Sequence, residues 1–151
     1  PDVIAIGGLF PEATKIIQQA GTLGIKAHMV GGNGLNSTQM YAVAGPASQG
    51  VVVGAAWFIG GKEGGNLDFV KRFKAKFGND PDQFAAQSYA GAQVVAALVK
   101  NGATTKEQIL HGLHDVKTVT TVLGPIGFDA NRDVKAAPVV LQITKDGFAP
   151  F

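Results

Sequence analysis

The feature that most constrains this chain is a short apolar run that stops at two glycines and resumes, past a proline, with helical spacing. Val3 to Ile6 is the run, Gly7-Gly8 close it, and Pro11 opens a segment whose Ile16, Ile17, Ala20 and Leu23 share one helical face. Proline suits the first turn of a helix, where its missing N–H has no partner to lose. Glu12 suits the positive helix end, and Gly24 supplies the stop. His28 to Val30 gives a second short strand, followed by Gly31-Gly32-Asn33-Gly34. The first 34 residues thus predict a β-α-β unit with a glycine-rich turn after each strand. Such crossovers make parallel strands, and ligands settle at the strands' carboxyl ends. Parallel strands of this kind are expected to be buried.

The rest of the chain continues the alternation. Asn36 to Ala44 reads as a short helix, Gly50 to Ala56 as a third strand, and Trp57 to Asn66 as a loop. Leu67 to Phe77 is amphipathic, with Val70, Phe73 and Phe77 on its apolar face and Gly78 ending it. Phe84 to Lys100 is rich in alanine and predicts a long helix buried on most sides, with Tyr89 an inward residue whose hydroxyl finds a partner. Thr105 with Gln108 forms a capping-box pattern before Ile109, Leu110 and Leu113. Thr118 to Leu123 is β-branched, and Asn131-Arg132-Asp133 is a turn. Val139 to Ile143 alternates like a strand and meets the hairpin turn Lys145-Asp146-Gly147. The fold class is α/β.

Composition removes several functions. Among 151 residues, 46% are hydrophobic and 16% charged, enough apolar material for an ordinary domain. A net charge of +2 with no basic stripe gives no reason to expect nucleic acid; Lys71, Arg72, Lys74 and Lys76 are the densest group. The absence of cysteine excludes thiolate metal sites, thiol nucleophiles and disulfides. His111 and His114 sit three apart without a third ligand, so no metal is expected. No run reaches the roughly 20 apolar residues that span a membrane. The chain starts at Pro1-Asp2 with no signal segment, so a mature, trimmed or internal start is the expectation. No serine–histidine–aspartate order or carboxylate pair converges, and no cofactor fingerprint is complete. Neither an enzyme nor a cofactor is expected.

Four stretches carry a resemblance: "GGLFPEATKIIQQAGTLGIK", "VGGNGLNS", "AGPASQGVVVGAAW" and "FVKRFKAKFGNDPDQFAAQSYAGAQVVAAL". The closing "VLGPIGFDANRDVKAAPVVLQITKDGF" extends it. In this order and spacing the chain resembles the C-terminal portion of type I periplasmic solute-binding proteins, of the branched-chain amino-acid (leucine/isoleucine/valine)-binding family. The resemblance covers nearly all of this chain and less than half of a family member. It implies a part of a two-lobed fold, with parallel sheets flanked by helices and the lobes joined by hinge crossings. Residues 1–53 and 121–151 would belong to the second lobe and 57–119 to the first, with crossings near 54–56 and 118–122. The N-terminal half of the fold would lie outside this chain, as part of a larger protein.

By the same resemblance, the loops after "DVIAIGG" and within "VGGNG" face the ligand cleft. Gly8 and Gly34 would let backbone approach a ligand closely. Leu9 falls where amino-acid binders commonly present an aromatic ring, with Phe10 beside it. Asn33 falls where leucine-type binders place an acid that pairs with the ligand's ammonium. An amide donates and accepts but carries no charge, and an unpaired ammonium in a closed cleft is costly. A branched-chain amino acid and an amine-free aliphatic or aromatic carboxylate therefore both stay open. Trp57, at a crossing, lines the cleft or packs at the hinge. Phe84, at the start of a helix near the cleft edge, is a candidate contact with a core role as the default. The implied function is a non-catalytic periplasmic solute-binding component of an ABC transporter, partnered by a membrane permease and closing by hinge motion. The alternative is a cytoplasmic ligand-sensing regulator of the same fold, responding to amides or amino acids.

Overall fold

The computed structural model describes residues 1–151. In chain order the elements are β1 (Val3–Ile6), α1 (Phe10–Thr22), β2 (His28–Gly31), α2 (Met40–Ala44), β3 (Val52–Ala55), α3 (Asn66–Phe77), α4 (Gln83–Lys100), α5 (Lys106–Asp115), β4 (Val119–Thr121), β5 (Gly124–Phe128), β6 (Val134–Lys135), β7 (Val139–Thr144) and β8 (Gly147–Pro150). They form two compact units, one of Pro1–Phe58 with Pro138–Phe151 and one of Ile59–Ala137. No helix is long and apolar enough to cross a membrane.

The first unit is a five-stranded sheet in the order β1-β2-β3-β7-β8. β1, β2 and β3 are parallel, and β7 and β8 return antiparallel as a hairpin. α1 follows the sequence reading closely. Ala13, Thr14, Ile17 and Ala20 are its buried face. Gly24 takes φ +67° at its end, where Gly24 N–H donates to Gly21 O and Ile25 N–H donates to Ala20 O. That pair of bonds is the glycine stop that satisfies the last carbonyls.

The parallel strands are buried on one face only. Ile6, Met29, Val53, Ala55, Leu141 and Ile143 join Ala13, Ile17 and Ala20 of α1 and Met40 and Ala44 of α2 in one core. The register places Val3 beside His28, Ala5 beside Val30, Val30 beside Val52, and Gly54 beside Val140 on the opposite face. There Val3 is 52% and Val140 48% exposed. The expectation of buried strands is thus corrected: β1 alternates between core and solvent because both helices of the unit pack against the same side.

In the second unit, β4, β5 and β6 make a small antiparallel sheet beside three helices. Residues 121–137, which the resemblance implies return to the second lobe, pack within this unit: Val122 N–H donates to Gln93 Oε1 of α4 at 3.0 Å. Asp82 caps α4 by accepting from Ala85 N–H at 2.8 Å, and Thr105 with Gln108 forms the expected capping box of α5. α4 buries a single stripe, Ala86, Ala90, Val94 and Leu98, spaced four apart. Val95 and Val99 lie exposed, so the reading of a helix buried on most sides is corrected. α3 is corrected as well. Phe69 is its buried ring, Phe73 is half-buried and Phe77 is exposed. Phe69 stacks on Tyr89 at a centroid distance of 4.8 Å, which draws that edge of the helix inward. Tyr89 is half-buried, and its hydroxyl accepts from Arg72 Nη2 at 3.1 Å.

Candidate functional site

Because β1 and β2 are parallel neighbours, the loops at their carboxyl ends lie side by side. Glycine decides how closely they meet. A Cβ on Gly34 would run into the Gly8 carbonyl oxygen and stand 3.0 Å from Leu9 Cδ2. Cβ atoms on Gly7, Gly8 or Gly32 would meet nothing within 4 Å. One glycine therefore permits the loop contact, and three others border open space. Leu9 is 56% exposed. Phe10 is half-buried and packs against the core of the first unit. Of the two apolar residues on this loop, Leu9 presents its side chain outward and Phe10 anchors the start of α1. Leu9 is also the residue preceding α1 and makes no side-chain cap, so first-turn N–H groups and the positive helix end are left without that partner.

Asn33 opens the short 3-10 turn Asn33–Leu35, and Asn36 caps its far end. At three residues per turn, side chains three apart point the same way, and these two do. Asn33 Oδ1 accepts from Ala56 N–H at 3.0 Å, and Asn36 Nδ2 donates to the Trp57 carbonyl at 2.6 Å. The pair grips two consecutive residues where the chain leaves β3. Between them Leu35 is fully buried, seated against Gly31, where a Cβ would collide with it. From sequence Asn36 reads only as the start of a short helix, not as a site residue. Its signal was the Asn-x-x-Asn spacing behind a glycine-ended strand, but its partner lies 21 residues away.

The structure brings Gly8, Leu9, Phe10, Asn33 and Gly34 together at one corner of the first unit. Trp57 is buried to 3% exposure in the same unit, its carbonyl held by Asn36. Phe84 lies in the second unit on the first turn of α4. It is 54% exposed, which corrects the default of a core role. The first turn is instead fixed by its neighbours Pro81 and Gln83, both nearly fully buried. A second surface of that unit, unforeseen from sequence, is a groove of about 540 Å³ between α5 and the β5–β6 turn, edged by Leu110, His111, His114, Phe128 and Arg132.

The Leu/Ile/Val-binding protein homolog 2 of Brucella abortus is 32% identical over 141 residues, spanning 93% of this chain and 38% of that protein. The branched-chain amino-acid transporter substrate-binding protein LivJ of Streptococcus pneumoniae, solved with isoleucine, is 25% identical, with a TM-score of 0.84 over 97% of this chain and 42% of that one. A solute-binding protein of an ABC transporter from R. palustris, solved with benzoate, is 19% identical, with a TM-score of 0.85 over 100% of this chain and 42% of that one. These relatives are binding proteins by name, and this chain spans less than half of each. The two structures show the fold holding an amino acid in one case and an aromatic acid in the other. The family model for periplasmic binding proteins matches residues 1–147, and the chain belongs to that family.

Proposed function

We propose that this chain is the C-terminal portion of an extracytoplasmic, periplasmic solute-binding component of an ABC transporter. Its whole protein captures a small carboxylate, a branched-chain amino acid or a related aliphatic or aromatic acid, without chemical turnover. The observation that carries this reading is the corner at the carboxyl ends of β1 and β2. Its loops touch through Gly34 and Gly8, border open space at Gly7, Gly8 and Gly32, and expose Leu9. The carboxyl end of parallel strands is where open α/β sheets hold ligands. In the whole protein the ligand stabilises a closed state by bridging two lobes, so closure draws only on affinity that differs between open and closed forms. A membrane permease then recognises the closed form.

A thermal-shift screen of the intact protein against amino acids, aromatic acids and short amides tests the reading. A true ligand at about 100-fold excess over Kd adds about 2.7 kcal/mol of stability, which moves the Tm of a chain as long as the relatives by about 3 °C. Chemical conversion of the captured ligand, or no shift with any carboxylate, would refute it.

A further inference from the structure

The densest cation group of the sequence lies on α3 beside a row of rings, and α4 completes a groove along both. Positions four apart share a helical face. Phe69, Phe73 and Phe77 form one such row, with successive ring centroids 5.8 Å and 4.5 Å apart. Arg72 and Lys76 form the row next to it, each one position before a ring. Across from them α4 presents Ala85, Ser88 and Tyr89. Tyr89 stacks on Phe69 and fills one end, whereas Ala85 and Ser88 are too short to cover the rings beyond it. The two helices therefore leave a groove of about 500 Å³, within the range that small-molecule sites occupy.

The charges along this groove are one-sided. No acidic side chain lines it. Arg72 is already committed, with Nε 2.8 Å from Asp68 and Nη2 donating to the Tyr89 hydroxyl at 3.1 Å. Lys74, outside the groove, pairs with Asp80 at 2.9 Å. Lys76 has no carboxylate partner, and its Nζ stands 5.4 Å from the centroid of Phe77, a ring 56% exposed. On the opposite wall the exposed Ser88 hydroxyl is held by no other group of the protein. Packing accounts for Phe69, which is buried, but not for an open ring beside an unpaired ammonium. An exposed ion pair alone is weak, and a bare ring takes any apolar surface. A molecule that offers both a ring and a negative charge uses both rows at once, and stacked or tilted rings add to the burial.

We propose that the α3–α4 groove is a binding site for small aromatic carboxylates, with Phe73 and Phe77 holding the ring and Lys76 and Ser88 the carboxylate. The site lies wholly on the second unit and does not rest on the solute-binding reading above.

Amide NMR on the intact protein locates binding residue by residue and so separates this groove from the corner of the first unit. The probe is 2-naphthoate, with 2-naphthylmethanol as the same ring without charge and acetate as the charge without a ring. Titration with 2-naphthoate should shift the amides of residues 73–77 and 85–89 saturably, with Kd of about 1 mM or below. The alcohol should bind there at least fivefold more weakly, and acetate should not saturate. Phe77→Ala should weaken 2-naphthoate at least fivefold. Lys76→Gln should bring the acid and the alcohol within twofold of each other, while Lys71→Gln, outside the groove, should leave both as in the native protein. All three positions are exposed, so the fold should tolerate each change. Shifts confined to other parts of the protein, an alcohol that binds as tightly as the acid, or a K76Q variant that keeps the native preference would overturn the proposal. So would a response of these amides to an acidic peptide of alternating glutamate and leucine where 2-naphthoate gives none, which would reassign the groove to a protein partner.

Discussion

Replacing Gly34 with alanine, beside the same change at Gly32, measures how much the loop contact matters. The two glycines lie on one loop, two residues apart. Gly32 has φ −90°, and a Cβ there meets nothing within 4 Å. Its replacement should stabilise by about 0.4–1 kcal/mol, because alanine narrows the unfolded ensemble without straining the folded one. Gly34 gains the same unfolded-state benefit, but its new methyl collides with the Gly8 carbonyl and crowds Leu9 Cδ2 at 3.0 Å. The leucine tip is exposed and can swing away. The carbonyl is backbone at the end of β1 and moves only if the loop does. Overpacking of this kind costs about 1–3 kcal/mol. After the offset, Gly34→Ala should be destabilising by about 1–2 kcal/mol, and the two variants should differ by about 2 kcal/mol. Urea denaturation of the intact protein, with m-values checked for constancy, gives both numbers. Variants within 0.5 kcal/mol of each other would mean that the loops separate freely and that the corner is not held closed by Gly34.

Three further outcomes follow from individual contacts. Asn36→Ala leaves the Trp57 carbonyl without its 2.6 Å donor on a residue 3% exposed; urea denaturation should show a loss of about 1–3 kcal/mol. Gln83→Met removes the buried Oε1 that has no hydrogen-bond partner, and should raise Tm by a few degrees for a gain of about 1 kcal/mol, since an unpaired buried acceptor costs about that much. Val140→Lys in the intact protein should cost at least about 2 kcal/mol if another segment covers the open sheet face. A surface exchange is usually worth within about 0.5 kcal/mol, and a loss no larger than that would show that the face stays in water.

Much of the first unit was legible because its signals are local. Pro11, Glu12 and Gly24 bound α1 through groups one or two peptide units away, and paired glycines end β1 and β2. The site's bonding was not legible in that way. Asn33 and Asn36 are held to residues 23 and 21 positions distant, and nothing in "GGNGLNS" indicates which end of either amide will be used. Burial misled for a different reason. Periodicity reports that a face is apolar, not that anything covers it. Phe69 stacks on Tyr89 and goes inside, while Phe77, eight residues on, stays out. The same distinction applies to Val3, Val30, Val52 and Val140, which share a face whose strands are as β-branched as those of a sheet covered on both sides. Parallel sheets are rarely stable with one face in water, and helices supply that cover in α/β folds. The exposed stripe of α4, with Phe84, Val95 and Val99, is the converse case, a helix without a sheet beneath that side. An apolar pattern unexplained twice, once on a sheet and once on a helix, fits a whole protein in which further helices and a further sheet complete both units.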